Sequence, residues 1–399
     1  MKILVLDPGL SARLGHNAAI AEELGLELRG RPGVELTFAG SSTLIPADFE
    51  DLTGTFLPAF RLDGYAHFGA GDFSDPQRNE RIRTFLASEL QALRPSSFDV
   101  ILMPTAYPLH LQAVADSARL LGKAQFQCGL LMPASFWAND AAAFQHLATV
   151  FEAAILQLQG ANCLFYTETG RFALGDASVR TPVLLPPVSA ATASLMETLA
   201  QAGSNPAEEL RVGYFGSPFT SKGFNVLLET IARGLPPHVR IVLRLPPGHA
   251  ERCATLRAQS PQVDATSRAM SNGEFLREMA SVDVVFGLYD PAHYSEKMSG
   301  LIPEAICLGR PVLLSAECTS LVAFLDQHAP GSFVSAGYDV ASLGQALALP
   351  ADIWRERAQR AAASAPVVRA LKSASRYLTI AGAGGIYRPQ IRPLSAKVA

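Results

Sequence analysis

Short, largely apolar runs alternate with longer stretches of helical period along most of this 399-residue chain, and no other feature restricts its fold more. In the first half the runs are Lys2–Leu6, 34–39, 99–103, 124–128, Cys163–Tyr166 and 182–185. Helix-period segments at 16–28, 79–93, 109–121 and Ala141–Leu158 lie between them. A strand that is apolar on every residue is covered on both faces, which is the condition of a parallel sheet between helix layers. Strand–helix alternation then predicts doubly wound α/β units with right-handed crossovers.

The pattern breaks once. After Leu184-Leu185-Pro186-Pro187-Val188 the chain is polar and small-residue-rich as far as Asn205-Pro206, so 187–207 reads as a linker. Alternation restarts with strands at Leu210–Phe215, 239–243, 283–286, 311–315 and 332–335. The intervening helices are Phe224–Arg233, 273–280, 301–308, 320–328 and 342–349. The length exceeds one ordinary core. The expected organisation is a domain at 1–190, a second at 205–360, and a helix with tail at 361–399 that packs back on the first. No period of 20–50 residues repeats.

Composition bears on the function classes that remain. At 49% hydrophobic and 17% charged the chain has ample core material and is not of disordered type. A net charge of -3 leaves no basic excess for a nucleic-acid partner. Cys128, Cys163, Cys253, Cys307 and Cys318 are scattered, with no C-x-x-C pair, which reads as buried thiols in a reducing compartment. The opening apolar run is too short for a signal peptide, and no uninterrupted apolar stretch reaches about 18 residues. The expected location is cytoplasmic. A peripheral contact with the inner face of a membrane stays open, because Arg81, Arg83 and Arg94 flank apolar residues around 79–93, although a solvated amphipathic face is the simpler reading. The eight histidines are dispersed and neither H-x-x-x-H nor D-x-D occurs, so no metal and no cofactor are expected.

The segment from Tyr294 to Val312 carries the strongest chemical signal. It follows a strand and opens a helix near Ser299 or Gly300. Free N–H groups at Ser299, Gly300 and Leu301 form an anion site, and Gly300 lets a phosphate reach the backbone. Glu304, in an early turn, is in reach of a diol beside the anion, and Glu296 lies before the helix, deeper in the cleft. Two carboxylates flanking an anion suit a nucleotide-sugar, with its diphosphate in the middle. A glutamate in a first turn also complements the helix dipole with no ligand at all, and for Glu304 alone the two readings weigh equally.

This string resembles the E-x7-E signature of the large retaining GT-B glycosyltransferase family, and Gly309-Arg310-Pro311-Val312 continues the likeness. Upstream, Arg211 to Phe224 resembles the family's strand, Gly-Arg, loop and Lys-Gly block. The resemblance covers 210–349 and is looser over 1–190. It implies two Rossmann-like domains facing a central cleft, with a final helix crossing back to the first. The expected donor site is built from Gly216, Ser217, Lys222, Arg244, Met270, Ser299, Gly300, Leu301 and Glu304, although at Arg244 the family more often shows a glycine-rich turn. Lys222 is one of only six lysines among 33 basic residues, and it sits at a helix start, where a cation is disfavoured unless a diphosphate faces it. The family places Arg where this chain has Ser217; Arg244, at the end of the next strand, either replaces the missing guanidinium or makes a surface ion pair, and the two readings weigh equally. Met270, with Arg268 and Ala269, is expected to offer backbone groups to the base.

In the first half, Gly15 and His16 resemble the family's glycine-rich first loop, although the G-x-G-x-x-G spacing is lacking. His110 follows a strand end and is a candidate for the acceptor-domain histidine that the family often places near the reacting sugar, with a plain histidine at a helix N-terminus at least as well supported. Thr167-Glu168-Thr169 is a second candidate edge. The expected catalytic groups are Glu296, His110 and Lys222. The expected activity is metal-independent, retaining transfer of a hexosyl group from a UDP- or GDP-sugar to a glycan, glycolipid or lipid-linked acceptor, in bacterial polysaccharide or glycoconjugate synthesis. Two alternatives are carried: a nucleotide-sugar epimerase or hydrolase of the same fold, and a degenerate non-catalytic GT-B subunit, to which Ser217 lends weight.

Overall fold

The protein is described from a computed structural model covering residues 1–13, 15–64, 75–137, 140–159, 161–174, 177–201, 209–382 and 390–393. The chain forms two compact units, 1–190 with 372–399, and 191–371.

The first unit is built on a parallel sheet of β1 (Lys2–Leu6), β2 (Glu35–Ser41), β3 (Thr55–Phe60), β4 (Val100–Met103), β5 (Gln125–Gly129) and β6 (Cys163–Tyr166). Its spatial order is β3-β2-β1-β4-β5-β6. The chain winds outward from β1 to β3 and returns to lay β4 beside β1, so the strand order reverses between β1 and β4. On one face Leu111, Leu147, Phe151 and Ile155 pack on Ile101 and Phe126. On the other, Leu24 of the Gly15–Leu28 helix and Tyr377 of the Ala374–Gly382 helix close over Val5, Leu102 and Tyr166. β7 (Arg171–Leu174), β8 (Ala177–Arg180) and β15 (Gln390–Pro393) form a small antiparallel sheet.

The second unit repeats the plan with β9 (Leu210–Phe215), β10 (Val239–Leu245), β11 (Val263–Ser267), β12 (Val284–Gly287), β13 (Val312–Ser315) and β14 (Phe333–Ala336). The order β11-β10-β9-β12-β13-β14 reverses between β9 and β12. Every pairing in this sheet is parallel, as full burial of strands such as Val284–Gly287 demands.

Several boundaries differ from the sequence reading. The segment read as a linker contains a helix, Ala190–Gln201, which buries Thr192 and Met196; its alanines and leucines favour helix where smallness alone suggested loop. The tail divides at Lys372, not at 361. The long Ala351–Lys372 helix belongs to the second unit, where Trp354 and Val368 are buried and the Arg369 guanidinium donates to the Cys307 carbonyl at 2.7 Å. β3 escaped the pattern search because it is an edge strand that carries Pro58, which an edge tolerates. The run at 182–185 makes only an isolated bridge, Thr167 to Val183, since prolines at 182, 186 and 187 remove ladder donors. Helix Ala250–Gln259 was not anticipated, because only Cys253 and Leu256 of it are buried.

Candidate functional site

Ligands of open α/β sheets bind beyond the carboxyl ends of the strands, where the strand order reverses. In the second unit that position lies between the loops after β9 and β12. The first loop runs from Gly216 to Gly223, both at positive φ (112° and 72°). A Cβ on Gly223 would collide with the Leu288 carbonyl oxygen, so the loops meet backbone to backbone, and the Asp290 amide donates to the Ser221 carbonyl at 3.0 Å. Tyr214 holds the near end of the loop by donating its hydroxyl to the Ser217 carbonyl at 2.7 Å. Tyr338 holds the far end by donating to the Thr220 carbonyl at 2.8 Å.

Lys222 closes the short Thr220–Lys222 turn. Its side chain is half-buried and makes no hydrogen bond or ion pair among the described residues. Loss of solvent holds its ammonium below the usual lysine range. A desolvated cation with no counter-charge is costly in the free protein, and an arriving anion would relieve that cost.

After β12, Tyr289 is buried, packs at 4.5 Å between ring centroids on Tyr294, and shares a 3.0 Å hydroxyl contact with Ser299 Oγ. Ser299 and Gly300 lead into the Leu301–Cys307 helix. The Gly300 and Leu301 amides meet no acceptor among the described residues, and the space beside the Gly300 Cα is open. Glu304 is half-buried in the first helical turn. Glu296 does not sit deep, as the sequence suggested. It is exposed, because Tyr294 and Met298 take the inward positions on either side of it.

Arg244 departs furthest from expectation. Its guanidinium is 7% exposed and fully engaged: Nε lies 2.7 Å from Glu278 Oε2 and NH2 lies 2.9 Å from Asp264 Oδ2. It does not replace the arginine absent at Ser217. Two carboxylates on the neighbouring strand and helix already satisfy it, and the hydrogen bond from Arg244 in turn holds Asp264 below the usual carboxylate range. Met270 is half-buried just before the Asn272–Ala280 helix, which a Ser271–Glu274 capping box opens.

In the first unit the corresponding position lies between the loops after β1 and β4. Gly15, at φ +79° with open space around it, starts the helix, and His16 is exposed in its first turn. His110 is not at the surface. It is 2% exposed, edge-on to Phe60 and Tyr107, with Nε2 3.1 Å from the Leu62 carbonyl oxygen. Its helix starts at Pro108, and every residue from there through Ala115 is buried. Thr167 and Glu168 are buried too, Thr167 sharing a 2.9 Å contact with Thr181.

A polar group at this edge went unread in the sequence. Asp7, the first residue beyond β1, is buried, and its Oδ1 accepts from Asn17 Nδ2 at 2.6 Å and from the Gly9 amide at 3.2 Å. Asn17 Nδ2 also donates to the Tyr107 hydroxyl at 3.0 Å, which ties the β1 loop to the β4 loop. Burial raises the Asp7 carboxyl to about 6. The available signal was its place, a carboxylate directly after a fully apolar strand.

No family model and no curated protein matches this chain. Solved structures do. Sucrose-phosphate synthase from Thermosynechococcus elongatus superposes with a TM-score of 0.62 at 16% identity, over 96% of this chain and 98% of that one. HepE from Anabaena, in complex with UDP and glucose, gives 0.60 at 16% identity over 96% and 100%. The α,α-trehalose 6-phosphate synthase from Burkholderia multivorans gives 0.59 at 15% identity over 96% and 97%. The likeness shows the fold: α/β, with the two Rossmann-like domains of the GT-B class.

Proposed function

We propose that this protein is a retaining glycosyltransferase that moves a hexosyl group from a nucleoside diphosphate sugar to an acceptor hydroxyl. One observation carries the reading. The half-buried Lys222 ammonium, with no partner among the described residues, stands where the second unit's strand order reverses. The solved proteins of the same fold that carry UDP and glucose support it.

In this reading the bond between the anomeric carbon and the diphosphate oxygen breaks, and a bond from that carbon to the acceptor oxygen forms. The leaving diphosphate oxygen gains negative charge and takes up the acceptor hydroxyl's proton. Lys222 and the Gly300 and Leu301 amides stabilise that charge without having to reorganise. Ser217 supplies no cation, so Lys222 carries the electrostatic load that the resembling family divides between two side chains. Glu304 holds the ribose diol. Glu296, exposed in the free protein, accepts from donor-sugar hydroxyls. The acceptor is a glycan or a lipid-linked saccharide in bacterial polysaccharide or glycoconjugate synthesis, and the reaction proceeds without a metal.

Thermal shift of the full chain with UDP, GDP and ADP tests the donor half. Stabilisation by one of them is expected. Absence of any shift would favour a non-catalytic GT-B subunit. Turnover of the matching nucleotide-sugar should stay low until an acceptor saccharide is added; rapid turnover alone would indicate an epimerase or hydrolase.

A further inference from the structure

Arg244, excluded as a phosphate ligand, stands at one end of a chain of charges that reaches the sheet edge. Arg244 Nε donates to Glu278 Oε2 at 2.7 Å, and Glu278 Oε1 faces Arg268 NH2 at 3.5 Å. Arg268 NH1 donates to Glu274 Oε1 at 2.8 Å. Glu274 Oε2 then accepts from the Ser271 amide and hydroxyl, each at 2.9 Å. The backbone is pinned at the other end as well, where the Arg268 amide donates to the Leu245 carbonyl at 3.1 Å.

The four residues 268–271 are therefore held at both ends, and the middle is left open. The Met270 N–H donates to nothing and its carbonyl accepts nothing among the described residues. An amide and a carbonyl fixed side by side at a solvent edge can read the hydrogen-bonding edge of a planar heterocycle. Binding improves when such groups are ordered before the ligand arrives. A guanidinium can bridge Asp264 and Glu278 at fixed angles; a lysine ammonium offers no such fork.

We propose that Arg244 is a positioning residue for nucleoside recognition, acting through Glu278 and Arg268 to hold the 268–271 backbone ready for the base. The proposal rests on the donor-binding reading above and adds to it which end of the nucleotide this buried arginine serves.

The test compares two probes on the full chain by titration calorimetry: inorganic pyrophosphate, and whichever of UDP, GDP and ADP the wild type binds tightest. In Arg244→Met, Arg244→Lys and Glu278→Gln, nucleotide affinity should fall about tenfold, while pyrophosphate affinity stays within about twofold. Should Arg244→Met fail to fold, the milder Glu278→Gln carries the same comparison. Parallel loss for both probes would place Arg244 on the phosphates and overturn the proposal, and unchanged nucleotide affinity would reduce the chain to a stabilising ion network. Wild-type protein that binds pyrophosphate but no nucleotide would defeat this inference alone. Protein that binds neither would defeat the donor reading beneath it.

Discussion

Lys222 turns back over Gly216, so that a Cβ on that glycine would stand 3.3 Å from the lysine Nζ. The ammonium thus lies against bare backbone at the end of β9, and in the proposed function the loop between the two residues is where the donor's diphosphate would rest. The contact joins the two ends of one loop and depends on the positive φ of Gly216.

Replacing that cation separates binding from stability. Lys222→Met should weaken nucleotide binding by about ten- to hundredfold, the range for losing a hydrogen-bonded charge on a phosphate. It should also raise the stability of the ligand-free protein by on the order of 1 kcal/mol, because a desolvated ammonium is removed. Calorimetric titration and urea unfolding read the two effects. A destabilised, fully binding variant would contradict both.

Gly223→Ala should be severely destabilising, by roughly 3 kcal/mol or more, since its φ of +72° is strained for alanine and the new Cβ meets the Leu288 carbonyl oxygen. Urea unfolding would show it, and nucleotide affinity should fall with it as the loops after β9 and β12 are forced apart.

Asp7 predicts a pH dependence of the opposite sense to most carboxylates. Its folded-state value, about 6, lies above the ordinary aspartate value of 3.8, so the native state binds the proton more tightly than the unfolded chain. Its contribution therefore favours the fold increasingly as the pH falls from about 7 to about 4, and is lost as the pH rises through about 6. Asp7→Asn should remove this slope and stabilise the protein above pH 7, by on the order of 2 kcal/mol. The difference in Tm between wild type and variant across that range isolates the effect. A flat difference would show that Asp7 titrates normally.

The acidic pair can be read through donor binding. If Glu296 accepts from the donor sugar, Glu296→Gln should lower the affinity for UDP-glucose, or the matching donor, towards that for the nucleotide alone. Glu304→Gln should weaken both alike, by roughly fivefold to tenfold, as expected for a charged acceptor on a ribose hydroxyl. Equal losses in both variants would reassign Glu296 to the nucleotide.

Much of the second unit was legible residue by residue. Val284–Gly287 and residues 312–314 are apolar throughout, and a run of that kind has nowhere to go but between two helix layers. β3 was hidden by Pro58 and by its half-exposed alternation, which marks an edge strand and resembles a loop. The Ala190–Gln201 helix was hidden because small residues are common to linkers and to well-packed helices alike. Lys222 and Gly300 each stand just before a helix, as the sequence pattern had them, because a glycine and a following helical period mark such starts locally. Glu296 and His110 lie elsewhere than expected. The first was turned outward by Tyr294 and Met298, and the second was drawn inward by a helix buried through most of its length.

Order along the chain was thus enough to establish two parallel sheets, since hydrophobic period and turn residues act over a few neighbours. The partner of each charge was beyond its reach. Arg244 meets Glu278 across 34 positions, and Asn17 meets Tyr107 across 90. Such pairs form only when packing brings distant strands and helices together, and burial then makes an unmatched charge too costly to leave alone. That cost bound Arg244, 7% exposed, into the protein's own frame, whereas Lys222, only half-buried, bears it with no partner among the described residues.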